Sequence, residues 1–111
     1  MPVNTATAVP AVALADAKAH LRVEHADEDG LINNLILAAT QAAEHELQRA
    51  LITRGDQTGY GASPADVPVG IRQWMLLNVG YWYANRESAS MQQLEPLPFV
   101  GRLLDPFRTW A

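Results

Sequence analysis

From Leu31 to Leu51 apolar residues return at the spacing of an α-helix for five or six turns. Leu31, Leu35, Ala39, Ala42, Ala43, Leu47, Ala50 and Leu51 form the stripe, and Ile32 and Ile36 widen it. Asn33, Asn34, Gln41, Glu44 and Gln48 supply the other faces. A strand alternates with a period of two and cannot carry this pattern, so the segment predicts one long amphipathic helix. Just ahead, Asp27 is a suitable N-cap, and Glu28 and Asp29 place negative charge where the helix dipole favours it. The run of alanines lets a second helix approach closely.

Two further helices fit around this one. Leu14, Ala17 and Leu21 share a face and predict a short helix from Leu14 to about Arg22. Ile71, Met75, Val79 and Trp82, with Leu76 and Tyr83 beside them, predict a third from Asp66-Val67-Pro68 to about Arg86 or Glu87. Asp66 is placed to cap it, and Pro68 is tolerated in a first turn. Gly70 and Gly80 lower its propensity, so tertiary packing has to hold it.

Between the second and third helices, Thr53 to Ser63 carries three glycines and reads as a tight or flexible connection. Leu94 to Phe99 contains two prolines and breaks any helix, and a short final helix is expected from Val100 to Leu104, stopped by Pro106. No internal repeat or strand signal appears. The expected fold is all-α: a small bundle of three main helices plus a short C-terminal helix, with extended tails at both ends. Residues 1–11 read as an arm, 12–95 as the helical domain and 96–111 as a C-terminal tail. At 111 residues there is room for one core.

Charge and composition exclude several functions. Residues 1–50 hold three bases and seven acids, 3 − 7 = −4, whereas residues 51–111 hold five of each. The chain has seven Arg and a single Lys, with no basic stripe to grip phosphates. Without cysteine there is no disulfide framework, thiol nucleophile or cysteine zinc site. Apolar runs stop far short of the ~20 residues that span a bilayer, and Met1-Pro2-Val3-Asn4 lacks a basic signal-peptide start, so no membrane association is expected.

No motif carries catalysis. His45-Glu46 opens a zinc-protease pattern, but Arg49 stands where its second histidine belongs. His20 and His25 read as solvated polar residues. Glu24 to Asp29 lacks the ligand spacing of a calcium loop, and helix capping accounts for its acids. Gly61 is followed by Ala62-Ser63 rather than the Lys-Ser/Thr of a phosphate cradle, and there is no Gly-x-Ser-x-Gly elbow. The chain reads as a non-enzyme without cofactor or metal.

Aromatics concentrate late in the chain. Tyr81, Trp82 and Tyr83 point about 100° apart on a helix, so one core cannot take all three. Trp74 and Tyr81, seven apart, share a face distinct from that of Ile71 and Met75. Aromatics and arginine are enriched at protein interfaces and lysine is depleted. Trp74, Tyr81, Tyr83 and Arg86 are therefore the candidate subunit-interface residues, set against the alternative that a small bundle wraps the helix on several sides.

Leu14 to Val23, Asp27-Glu28-Asp29-Gly30-Leu31-Ile32, Asp66-Val67-Pro68, Trp82-Tyr83-Ala84-Asn85-Arg86-Glu87, Leu97-Pro98-Phe99, Leu103-Leu104 and Pro106-Phe107-Arg108 occur in an order and spacing that resembles tailed-phage head–tail connector proteins, also called head-completion or adaptor proteins. The resemblance covers roughly residues 12–108. It departs in the glycine-rich stretch from Gly55 to Gly61 and at Gly80, where bulkier residues are common.

The resemblance implies a structural virion protein that forms a ring, usually of twelve copies, beneath the portal. Such a ring extends the DNA channel and offers a surface to the next neck or tail component. It implies a portal contact through Phe99, Leu103, Leu104, Pro106, Phe107, Arg108 and Trp110. Glu24, Asp27, Glu28, Asp29, Glu44 and Glu46 are expected to face a channel through which DNA slides without specific binding. The location implied is the virion head–tail interface, reached by assembly in the host cytoplasm. The alternative reading is a small helical DNA-binding packaging regulator resembling a terminase small subunit, which needs a basic recognition helix.

Overall fold

The computed structural model describes residues 8–85 and 98–107. Three α-helices follow in order: α1 over Leu14–Leu21, α2 over Asp29–Leu47 and α3 over Val69–Ala84. A short 3₁₀ turn spans Pro64–Asp66 and a 3₁₀ helix spans Pro98–Phe107. The all-α bundle is as expected, and the described residues contain no strand, only isolated bridges at Ile52–Gly61 and Arg54–Gln57.

α2 and α3 form the centre of the bundle, α1 packs on both, and the C-terminal 3₁₀ helix lies on α3. Ile32, Leu35, Ile36, Ala39 and Ala43 of α2 meet Ile71, Trp74, Met75, Val79 and Trp82 of α3 in one buried cluster. The two helices run antiparallel. The Tyr83 hydroxyl near the end of α3 donates to Glu28 Oε1 at the start of α2, and Thr40 and Met75 meet at mid-length.

Helix ends differ from the sequence expectation for local reasons. α2 stops at Leu47 rather than Leu51 because Gln48 adopts a left-handed conformation, φ 54°. The Leu51 N–H then donates to the Glu44 carboxylate at 3.0 Å. Ala50, Leu51 and Ile52 remain buried, so the apolar pattern outlasts the helix. At the other end Glu28, not Asp27, is the N-cap. Its neighbour Asp29 pairs with Lys18 of α1 at 2.8 Å, so charges in the first turn tie elements together. Asp66 closes a capping box with Ser63 around the 3₁₀ turn, and α3 itself begins behind Pro68. α3 ends at Ala84; the expected end at Arg86 or Glu87 lies outside the described residues.

Both expected tails contribute to the core where they are described. Ala11 and Val12 are buried, and the Ala11 N–H donates to Thr40 Oγ1 at 3.1 Å. Thr40 Oγ1 in turn donates to the Ile36 carbonyl at 2.8 Å. A Thr40→Val substitution keeps the shape but strands the buried Ala11 N–H, a loss of about 1–3 kcal/mol. Urea denaturation of the two proteins measures this directly, with an unchanged slope expected.

The C-terminal helix is longer than Val100 to Leu104 and runs through Pro106 to Phe107. Gly70 seats it. A Cβ there would stand 3.0 Å from Phe107 Cε2 and 3.2 Å from the Leu103 carbonyl oxygen.

Candidate assembly surfaces

The exposed side of α3 is its least ordinary surface. Val69 is 69% exposed and Tyr81 49%, and Gln73 and Ala84 are exposed on the same side. Leu77 and Gly80 lie between them, half-buried; the group itself carries no charged residue, and the His20 imidazole of α1 rests against Gly80, 3.2 Å from where a Cβ would stand. Only Arg72 on this helix is charged, and its Nε donates away, to the Val67 carbonyl at 3.0 Å.

The interface candidates divide. Tyr81 is exposed. Trp74 is 1% exposed and belongs to the chain's own core, which corrects its assignment to a subunit interface. The C-terminal helix covers α3 at the level of Gly70, one turn before Trp74, and does so because no side chain at residue 70 obstructs it. Tyr83 is half-buried and is held by Glu28. Arg86 lies outside the described residues.

The acidic candidates divide as well. Glu24, Asp27 and Glu46 are exposed, while Glu28 and Asp29 are half-buried and engaged with Tyr83 and Lys18. Glu44 is fully buried, and its assignment to a channel surface is corrected. Its two carboxylate oxygens accept from the Arg54 Nη1 and Nη2 groups, both at 2.8 Å. A buried charge requires such a partner, and Arg54 presents the planar fork that fits it.

This pair shapes the glycine-rich connection. Arg54 and Gln57 exchange backbone hydrogen bonds of 2.9 and 2.8 Å around Gly55, which sits at φ 53°. The Tyr60 N–H donates to the Leu51 carbonyl at 2.9 Å, and Arg49 lies over the Tyr60 ring, 3.9 Å from its centroid. Gly59 presses on the backbone of Leu51, where a Cβ would come within 2.5 Å of the carbonyl carbon. The turn is folded on itself through backbone contacts. Sequence reasoning missed this cluster, although a signal existed. Glu44 falls four residues after Thr40 and three before Leu47, inside the buried arc of α2.

A family model for Phage gp6-like head-tail connector proteins matches residues 12–100. The chain belongs to this family. The match starts at buried Val12, takes in all three α-helices and reaches the C-terminal 3₁₀ helix. No curated protein and no solved structure gives a significant match. The connector is thus a structural virion component, as its resemblance implied. Among the described residues no group of His, Asp or Glu is placed to hold a metal ion, and no helix is long and apolar enough to cross a membrane.

In the connector's C-terminal segment the candidate portal contacts are unequally placed. Leu104 is fully buried in the connector's own core, which corrects its assignment as a contact residue. Leu103 and Phe107 are half-buried and packed against that core, and Pro106 is exposed. Phe99 lies on the backbone of the 3₁₀ helix, its side chain outside the described part, and Arg108 and Trp110 lie outside the described residues.

Proposed function

We propose that the connector assembles as a ring, of twelve copies by its resemblance, between the portal and the next neck or tail component, and that DNA passes through the ring without specific binding. The observation that carries this reading is the family match across residues 12–100. The uncharged, partly apolar outer side of α3 supports it, because a surface of that kind is more useful covered than solvated. In this reading Tyr81, Tyr83 and Arg86 border a neighbouring copy. Phe99, Leu103, Pro106, Phe107, Arg108 and Trp110 meet the portal, and Glu24, Asp27, Glu28, Asp29 and Glu46 give the channel its negative wall. Such a ring sits at the head–tail interface of the virion after assembly in the host cytoplasm.

Mixing the full chain with the portal protein of the same phage tests the proposal. Negative-stain images and native mass spectra should show rings seated on portals, and a shift assay at ~0.15 M salt should show no tight duplex-DNA complex. A chain that stays monomeric beside portal and binds duplex DNA tightly would instead be a packaging regulator of the terminase small-subunit kind.

A further inference from the structure

We infer that each copy docks the outer side of its α3 onto the outer side of α2 of the next copy, a head-to-tail contact between two different faces of one chain. The inference rests on the ring proposed above and names the surfaces that would build it.

The first face is the α3 side bearing Val69, Gln73, Leu77 and Tyr81. The second is the outer side of α2, where Asn34, Leu37, Gln41 and His45 fall at successive intervals of three or four residues and are exposed or half-buried. Neither group contains Asp, Glu, Lys or Arg. Leu37 and Leu77, at mid-length of their helices, both lie outside the buried core cluster.

Charge argues for a second copy as the occupant. Each copy carries a net charge of −4, so like copies repel wherever acidic surfaces meet. Two charge-free faces let them approach without that penalty, whereas a basic or acidic partner would be read by a charged surface. The exposed Asn34 amide on the α2 face can still hydrogen-bond across the contact, for instance to the Tyr81 hydroxyl.

Geometry argues for head-to-tail order. α2 and α3 turn their buried sides to each other, so their outer sides face away from each other. A contact that joins two unlike patches on opposite sides propagates from copy to copy, and closes when the rotation per copy divides a full turn. A contact using one face twice stops at a dimer.

The chain has no native cysteine, which permits a direct test. Full-length Leu37→Cys, Leu77→Cys and the double variant are assembled as above and treated with a short bis-maleimide. The double variant should give a ladder of covalent oligomers, and each single variant should remain uncrosslinked. Independently, Tyr81→Lys should lower the ring fraction by about tenfold while its urea unfolding curve stays unchanged. Covalent dimers from either single variant, or intact rings without a ladder, overturn the face assignment and leave the ring standing. Absence of rings for the unaltered chain overturns both.

Discussion

An Arg54→Met connector should lose about 3–5 kcal/mol of folding stability, a large share of the ~5–15 kcal/mol a domain of this size has. The mutation leaves the Glu44 carboxylate, 0% exposed, without the guanidinium that contacts both its oxygens. What is lost is chiefly the solvation that the buried charge cannot recover, not the attraction between the partners. Replacing both partners at once is therefore expected to be milder than removing one. In Glu44→Gln/Arg54→Met the amide oxygen can still accept from the Leu51 N–H, and at least half of the lost stability should return. Urea unfolding of the wild type, both single variants and the double variant gives the coupling. An Arg54→Met loss below about 1 kcal/mol would mean that water reaches Glu44, and the ion pair would no longer explain the turn.

Trp74→Ala should lose about 3–5 kcal/mol, as truncation of a buried tryptophan does. Tyr81→Ala should stay within about 0.5 kcal/mol of wild type, as exposed substitutions usually do. The two aromatics are two helical turns apart on nearly the same side of α3, yet Trp74 is 1% exposed and Tyr81 49%. The C-terminal 3₁₀ helix packs over the first turns of α3 at Gly70, and Tyr81 stands beyond that contact. Thermal or urea unfolding separates the two variants, and comparable losses from both would mean that Tyr81 also has a folding role.

The same distinction marks how far the sequence could be read. Apolar spacing identified the buried sides of all three helices, because a helix fixes which residues share a face. It could not show that Trp74 is 1% exposed, since burial on that side of α3 depends on segments distant in sequence, such as the C-terminal 3₁₀ helix that packs closely at Gly70. Nor did periodicity locate the end of α2. Leu51 continues the apolar stripe while its backbone N–H turns to Glu44, so burial persists after the hydrogen-bond pattern has changed. Glu44 did not stand out because a carboxylate on a helix usually faces solvent, and its partner Arg54 belongs to a glycine-rich stretch whose composition fits a tight turn and a flexible one equally. The family resemblance survived these errors, because it depends on the order of many weak patterns and not on any one side chain.

The Glu44–Arg54 pair also affects how copies would combine. A surface loop that is ordered only on contact gives up conformational entropy at every contact, about 0.5–1.5 kcal/mol for each immobilised side chain. Here the turn around Gly55 is already fixed from within its own subunit by Arg54, Gln57 and the crowded Gly59. In an assembly of identical subunits any such expense recurs once per copy, so its absence is multiplied by the number of copies. In the assembly proposed above, a turn held this way by a single buried carboxylate would bring no such ordering cost of its own.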